Sequence, residues 1–373
     1  MYKRNLVYVA ACAGLAFFGV TMLALGPILG HLGEGANALP STLSIGIILG
    51  TVLFGYIVDK FGYKWLLIAA ALLALAGIQG LANFAEITLL HVSMFILGVG
   101  GGILNGETNA LVANIYDDNQ RGTRLSILSA FYCIGALTWT LLNYFMPDYT
   151  IPLHCISAVM VLFIALFISM QFPKAKPQGS VSLKKSIGML KYPSLILFGV
   201  ILFFQSGFEG ISNSFTKSFL QNMHETPENA ATLALTWFTI GMLIGRIPLG
   251  AIMKKLNDSG TLYLYLAIAV VGVAILYFTK DITLIYSATA LIGFGVGATF
   301  PVVFNYIGRT FSDMSGTAFS IAIFIALLGQ FSFNKIVGIL FDKSHYAYFP
   351  LMLAFAVIMM MMILPLAKSK TKK

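Results

Sequence analysis

Apolar residues run through this chain in stretches of roughly 18 or more, the length a helix needs to cross a bilayer. With 58% of its 373 residues apolar and 10% charged, no arrangement can wrap them in a water-facing polar surface. Lipid is therefore the expected solvent. The stretches fall near 5–32, 39–58, 64–85, 87–116, 121–146 and 150–171, then near 192–220, 227–253, 260–279, 282–308, 314–341 and 346–367. Twelve spans put both termini on one side of the membrane.

The basic residues choose that side. If the N-terminus is cytoplasmic, the inside receives all 23 Lys and Arg except Lys217, Arg246, Lys280, Lys335 and Lys343. This is the positive-inside bias. It also accounts for the net charge of +9 without nucleic acid, which would need a basic face on a folded domain larger than any loop here. Lys3-Arg4 and the apolar stretch after it open like a signal peptide, but the stretch is too long and lacks a small-residue cleavage site. It reads as an uncleaved first span.

Little in the chain points to catalysis. Cys12, Cys133 and Cys155 fall inside spans with no paired or metal-type spacing, so buried thiols are expected rather than a disulfide or zinc. His31, His91, His154, His224 and His345 have no helix-face ligand spacing. There is no Walker loop and no nucleophile–base set. The expectation is no enzyme, no metal and no cofactor.

One long polar connection, 172–191, carries KAKPQGSVSLKK and divides six spans (1–171) from six (192–373). Segments recur across it at a spacing of 194–195 residues. LGVGGG at 97–102 answers IGFGVG at 292–297, RGTRLS at 121–126 answers SGTAFS at 315–320, and Gly55 answers Gly250. Single glycines serve helix packing in any membrane protein, but a common offset argues for a duplicated six-helix unit. Parallel repeats around a midplane cavity are a known transporter design.

Of 14 acids, only Glu107 and Glu209 lie well inside spans. A charge at the bilayer centre costs roughly 2.5–3.5 kcal/mol. Such a residue faces a wet cavity, pairs with a cation or is protonated, which suits it to handle a proton; the alternative is a neutral Glu hydrogen-bonded between helices. Gln205, Glu209, Asn213 and Lys217, spaced by four, form one stripe on the seventh span. Amide, acid and amide match sugar hydroxyls, which both donate and accept, or serve as interhelical glue, with Lys217 snorkelling to water. Asn105, Asn109, Asn305 and Trp237 add amides and an aromatic face, or simply pack. Arg246 either neutralises an acid or reaches the headgroups.

The loop Gly55-Tyr-Ile-Val-Asp59-Lys60-Phe-Gly62-Tyr-Lys64 resembles the signature of the major facilitator superfamily between its second and third helices. The resemblance implies an all-α fold of two pseudo-symmetric six-helix bundles, in which Gly55, Asp59, Gly62 and Lys64 latch the cytoplasmic gate. A narrower resemblance, to the fucose permease-like sugar:proton symporters, rests on Gly106-Glu107-Thr108, Arg124-Leu125, Ala130-Phe131, Gly135-Ala136, Gly245-Arg246, Phe300-Pro301 and Gly338-Ile-Leu-Phe-Asp342. It implies that Glu107 is a proton-handling carboxylate and sets Arg124 and Arg246 among the gating residues. The chain departs from the family in two places. The first span lacks an acid, and Tyr132 stands where the family has Asn in the fifth span. The expectation is a monomeric transporter with both termini cytoplasmic, in a bacterial inner membrane, moving a monosaccharide with protons by alternating access. Glu107 is its proton carrier, and Asn105, Asn109, Tyr132, Gln205, Glu209, Asn213, Trp237 and Asn305 are its substrate contacts. An uncoupled facilitator or an exporter of another small solute on the same fold is the alternative.

Overall fold

A computed structural model describes residues 3–116, 118–146, 148–173, 188–311 and 315–369; inside its helices, the side chains at 55–56, 59–61, 113, 118–123, 126, 250, 254, 315–317 and 320 stand outside that description. Every regular element among the described residues is helical. The chain divides into two compact units, Met1–Gly179 and Ser180–Lys373. The expected connection at 172–191 lies across this division, with 174–187 outside the described residues.

The first unit holds Arg4–Leu23, Leu39–Asn83, Ile87–Ile115, Asp118–Phe145 and Thr150–Ser169. The helix Leu39–Asn83 turns at Gly62 and so supplies both the second and the third span. The second unit holds Pro193–His224, Glu228–Arg246, Leu249–Phe278, Ile282–Val296, Thr299–Thr310, Ser315–Asp342 and Tyr348–Ser369. Among the described residues, eleven stretches are long and apolar enough to cross a membrane. The remaining span, Glu228–Arg246, has 19 helical residues, but Glu228 and Asn229 dilute its apolar content.

Prolines explain where the helices depart from the twelve continuous spans expected. The first helix stops at Leu23 rather than near residue 32, because Pro27 has no N–H for the Leu23 carbonyl. That carbonyl instead accepts from the amide of Gly26 (3.1 Å) and the indole of the buried Trp139 (2.9 Å). The eighth span breaks at Ile247-Pro248 and resumes at Leu249. The tenth breaks at Gly297-Ala298, four residues before Pro301, and resumes at Thr299.

The two units repeat one another at 195 residues. In the first, Gly46 and Gly50 of the second span meet Gly98 and Gly102 of the fourth; in the second, Gly241 and Gly245 of the eighth meet Gly293 and Gly297 of the tenth. A methyl on Gly46, Gly50, Gly98 or Gly102 would strike the carbonyl of Phe95, Val99, Leu43 or Ile47; on Gly241, Gly245, Gly293 or Gly297 it would meet that of Ala290, Phe294, Phe238 or Met242. Each contact in one unit maps onto its counterpart in the other. These are small-residue seams, where two backbones approach with no side chain between them.

The turn after each seam's first helix repeats as well. Gly62 adopts φ 71°, ψ 172° and Asn257, 195 residues later, φ 58°, ψ 172°. This backbone region is nearly closed to side chains. Open space surrounds Gly62, so its glycine is required by conformation and not by crowding. Asn257 offsets its strain by accepting from the Gly260 amide at 3.0 Å, capping the helix that follows. Gly62→Ala is expected to cost about 1–3 kcal/mol and Gly62→Asn appreciably less, read as melting midpoints in detergent.

Candidate functional site

In the first unit, Glu107 is fully buried, and neither carboxyl oxygen has a hydrogen-bond partner among the described residues. The backbone of Leu67, on the third span, comes near it without hydrogen-bond geometry. Asn105 and Asn109 do not share its surroundings. Residues two positions apart on a helix are separated by about 200° around the axis, so these amides point away from Glu107. Asn109 is exposed and donates to the Asn105 carbonyl at 2.8 Å, and Asn105 is half-buried. Tyr132 is buried with its ring 5.7 Å from that of Phe18, at the close contact between the first and fifth spans. The proton-handling candidate and the amide candidates thus occupy different faces of one helix.

In the second unit, the stripe on Pro193–His224 is buried along its length: Gln205, Glu209, Asn213 and Lys217 all lie within it. Gln205 donates to the Val296 carbonyl (3.1 Å), beside the break in the tenth span, and its own amide oxygen is buried without a partner among the described residues. Both polar atoms of the Asn213 side chain are likewise buried and unpartnered. Lys217 does not snorkel. It is 3% exposed and pairs with Glu228 at 2.8 Å, at the start of the eighth span. Trp237 is partly exposed and stacks on Tyr286, with centroids 6.4 Å apart. Gln330 and Asn334 of the eleventh span, which the sequence reading did not single out, are buried against Gly210 of the same helix. Their spacing of four was the available signal.

Asn305 belongs to a different cluster. Its amide donates to Asp258 at 3.1 Å, and Arg309 donates to the same carboxylate oxygen at 3.0 Å. Asp258 follows Asn257 directly, so this group joins the loop entering the ninth span to the end of the tenth. Tyr306 and Ser259 hydrogen-bond alongside.

The gating candidates fall at helix ends and crossings. Gly55 and Asp59 lie outside the described side chains. Lys64 donates to the Ile168 carbonyl at 2.6 Å, satisfying one of the last carbonyls of the sixth span. The Arg124 guanidinium sits 5.3 Å from the Tyr8 ring and 5.0 Å from that of Tyr116. The Tyr8 hydroxyl donates to the Arg124 carbonyl at 2.9 Å, and Arg4 lies over the Tyr116 ring at 5.0 Å. The first, fourth and fifth spans are clamped there by cation–π contact. Arg246 turns to backbone: its Nε donates to the Gly297 carbonyl at 3.4 Å, and a terminal nitrogen approaches the Met242 sulfur at 3.5 Å.

Helical spans, paired glycine seams and a repeated loop turn all agree with one family, whose sequence model, the Major Facilitator Superfamily, matches residues 6–334. The chain belongs to the Major Facilitator Superfamily. It is a multi-pass membrane transporter, not an enzyme. The glucose/mannose transporter GlcP of Bacillus subtilis (strain 168) is 24% identical over 315 residues, covering 78% of this chain and 77% of the relative. A probable nitrate transporter, NarT of Staphylococcus haemolyticus (strain JCSC1435), is 26% identical over 328 residues, covering 82% of each. Among solved structures, the E. coli fucose:proton symporter FucP superposes with a TM-score of 0.68 at 17% identity, over 98% of this chain and 97% of that one. The relatives that match this chain thus carry names with unlike solutes.

Proposed function

We propose that this superfamily member carries a small neutral solute, a monosaccharide, by alternating access with proton symport. The observation that carries the reading is Glu107, buried with neither oxygen partnered. A carboxylate charge held there costs several kcal/mol, whereas a neutral acid loses only its hydrogen bonds to water. A group with that penalty gains a proton when its surroundings close and releases it when they open to water, which is the cycle of a symport carboxyl. The family resemblance of Gly106-Glu107-Thr108 and the names of GlcP and FucP support the sugar. The nitrate transporter among the relatives supports an anion instead. Against an anion, Lys217 is engaged by Glu228 and Arg246 by the Gly297 carbonyl. Buried amides on Gln205, Asn213, Gln330 and Asn334 favour hydroxyl groups.

The test is uptake into proteoliposomes of labelled glucose, galactose and fucose, and of nitrate, with and without an inward proton gradient. Accumulation of a sugar that requires the gradient is the expected result. Equilibration without accumulation would make the protein a facilitator. Uptake of nitrate alone would replace the substrate.

A further inference from the structure

The two units are close copies in their seams but not in their helices' continuity. Both breaks in the second unit coincide with a proline, at 248 and 301. The equivalent positions 195 residues earlier are Leu53 and Gly106, and there the helices Leu39–Asn83 and Ile87–Ile115 run through. Each break frees carbonyls. Pro301 has no N–H for Gly297, and the chain's departure from helix at Ile247-Pro248 leaves Gly245 without its partner. Two of the freed carbonyls receive a side-chain donor from a neighbouring span. Arg246 Nε reaches Gly297, and the Tyr265 hydroxyl reaches Gly245 at 2.6 Å. The second and fourth spans of the first unit, unbroken at these positions, have Thr51 at the Arg246 position and Ala70 at the Tyr265 position. At these two pairs of equivalent positions, proline and donor therefore occur together in one unit and are absent together from the other. The duplication supplies an internal control.

We propose that Arg246 and Tyr265 are positioning residues for transport, holding two proline breaks as a hinge that the eighth and tenth spans have and their counterparts, the second and fourth, lack. The hinge has somewhere to send its motion. The half-helix Thr299–Thr310 below the break carries Asn305 and Arg309, both bonded to Asp258. Tilting that half-helix against Ile282–Val296 moves the Asp258 cluster while Arg246 keeps the freed carbonyl satisfied. Thr299 Oγ1 and Gln205 Oε1, at the same break, are buried without partners among the described residues, so the segment holds hydrogen-bonding capacity for a second arrangement. A continuous helix in place of the break would have no such freedom.

The proposal rests on the chain being a transporter, not on the identity of its solute, and the first readout is independent of both. Four proteins in lipid nanodiscs are compared by backbone hydrogen exchange over residues 298–304: the unsubstituted chain, Arg246→Met, Pro301→Ala and the double variant. Arg246→Met should speed exchange about tenfold, the factor expected of one charge-assisted hydrogen bond. Pro301→Ala supplies the missing N–H, so in that background Arg246→Met should change exchange little. An effect of Arg246→Met that is the same with and without Pro301→Ala, or no effect at all, overturns the proposal. Glucose uptake is the second readout. Arg246→Met should lower Vmax with KM unchanged, and Arg246→Lys should recover part of it; a raised KM with Vmax intact would place Arg246 on the solute and also overturn it. Were glucose not a substrate, the exchange comparison would decide the matter by itself.

Discussion

Glu107→Gln is expected to reduce gradient-driven sugar accumulation to simple equilibration, while exchange of labelled for unlabelled sugar across the membrane continues. Glutamine keeps the volume and the neutral polarity of a protonated glutamate, so the carrier still closes around its solute, but it holds no proton to drive accumulation. Stability separates this from a structural role. Because neither Glu107 oxygen has a partner, Glu107→Leu should leave the protein as stable or raise stability by about 1–3 kcal/mol, the cost of one unpartnered buried polar group. A glutamate kept for packing would show the reverse, with stability lost and accumulation preserved in whatever protein folds. Full accumulation by Glu107→Gln ends the symport reading for this residue. Uptake and melting midpoints on the same preparations measure both arms.

Gly293→Ala and Gly50→Ala are expected to have the largest effects on folding. At either position a single methyl would overlap a backbone carbonyl of the facing span, and two packed backbones cannot yield as a side chain would. Overpacking of this kind costs typically ~1–3 kcal/mol, and the rigidity of both partners puts these substitutions at the upper end. The two lie in different units, so comparable losses at both would reflect the repeated seam. Gly308→Ala is the control. Among the described residues its added methyl meets only Phe319, at an ordinary 3.5 Å, and helix propensity favours alanine by up to about 1 kcal/mol. Detergent-solubilised melting midpoints should fall for the first two and hold or rise for the third. Equal behaviour of all three would mean that the seams are looser than their contacts imply.

Much of the architecture can be read from the chain because lipid imposes it. Long apolar runs, the charge bias and the recurrence of LGVGGG as IGFGVG are local patterns, and each has a direct physical meaning in a bilayer. The broken spans were half legible. Pro248 and Pro301 are visible in the sequence, and the rule that proline orphans the carbonyl four residues back names Ile244 and Gly297. Nothing local says which side chains will reach the breaks, since Gln205, Arg246 and Tyr265 come from three other spans. The site suffered from the same limit. Gln205 reads as a solute contact from its stripe, yet half of its amide is engaged by Val296, and Asn305 is drawn to Asp258 by a loop turn encoded elsewhere. The separation of Glu107 from Asn105 and Asn109 needed only the helical repeat, and proximity in sequence was the wrong guide to it.

The glycine seams also bear on how the two units could drift apart after duplication. A backbone packed on a backbone offers no second residue whose change can compensate for the first. All four seam positions are accordingly glycine in both copies. A proline and the donor that serves it are two residues that can change together, and there the copies differ: Leu53 with Ala70 against Pro248 with Tyr265, and Gly106 with Thr51 against Pro301 with Arg246. The contacts that differ between the halves here are ones that come in exchangeable pairs, so that, on the proposed hinge, the chain is symmetrical in its framework and lopsided in its moving parts.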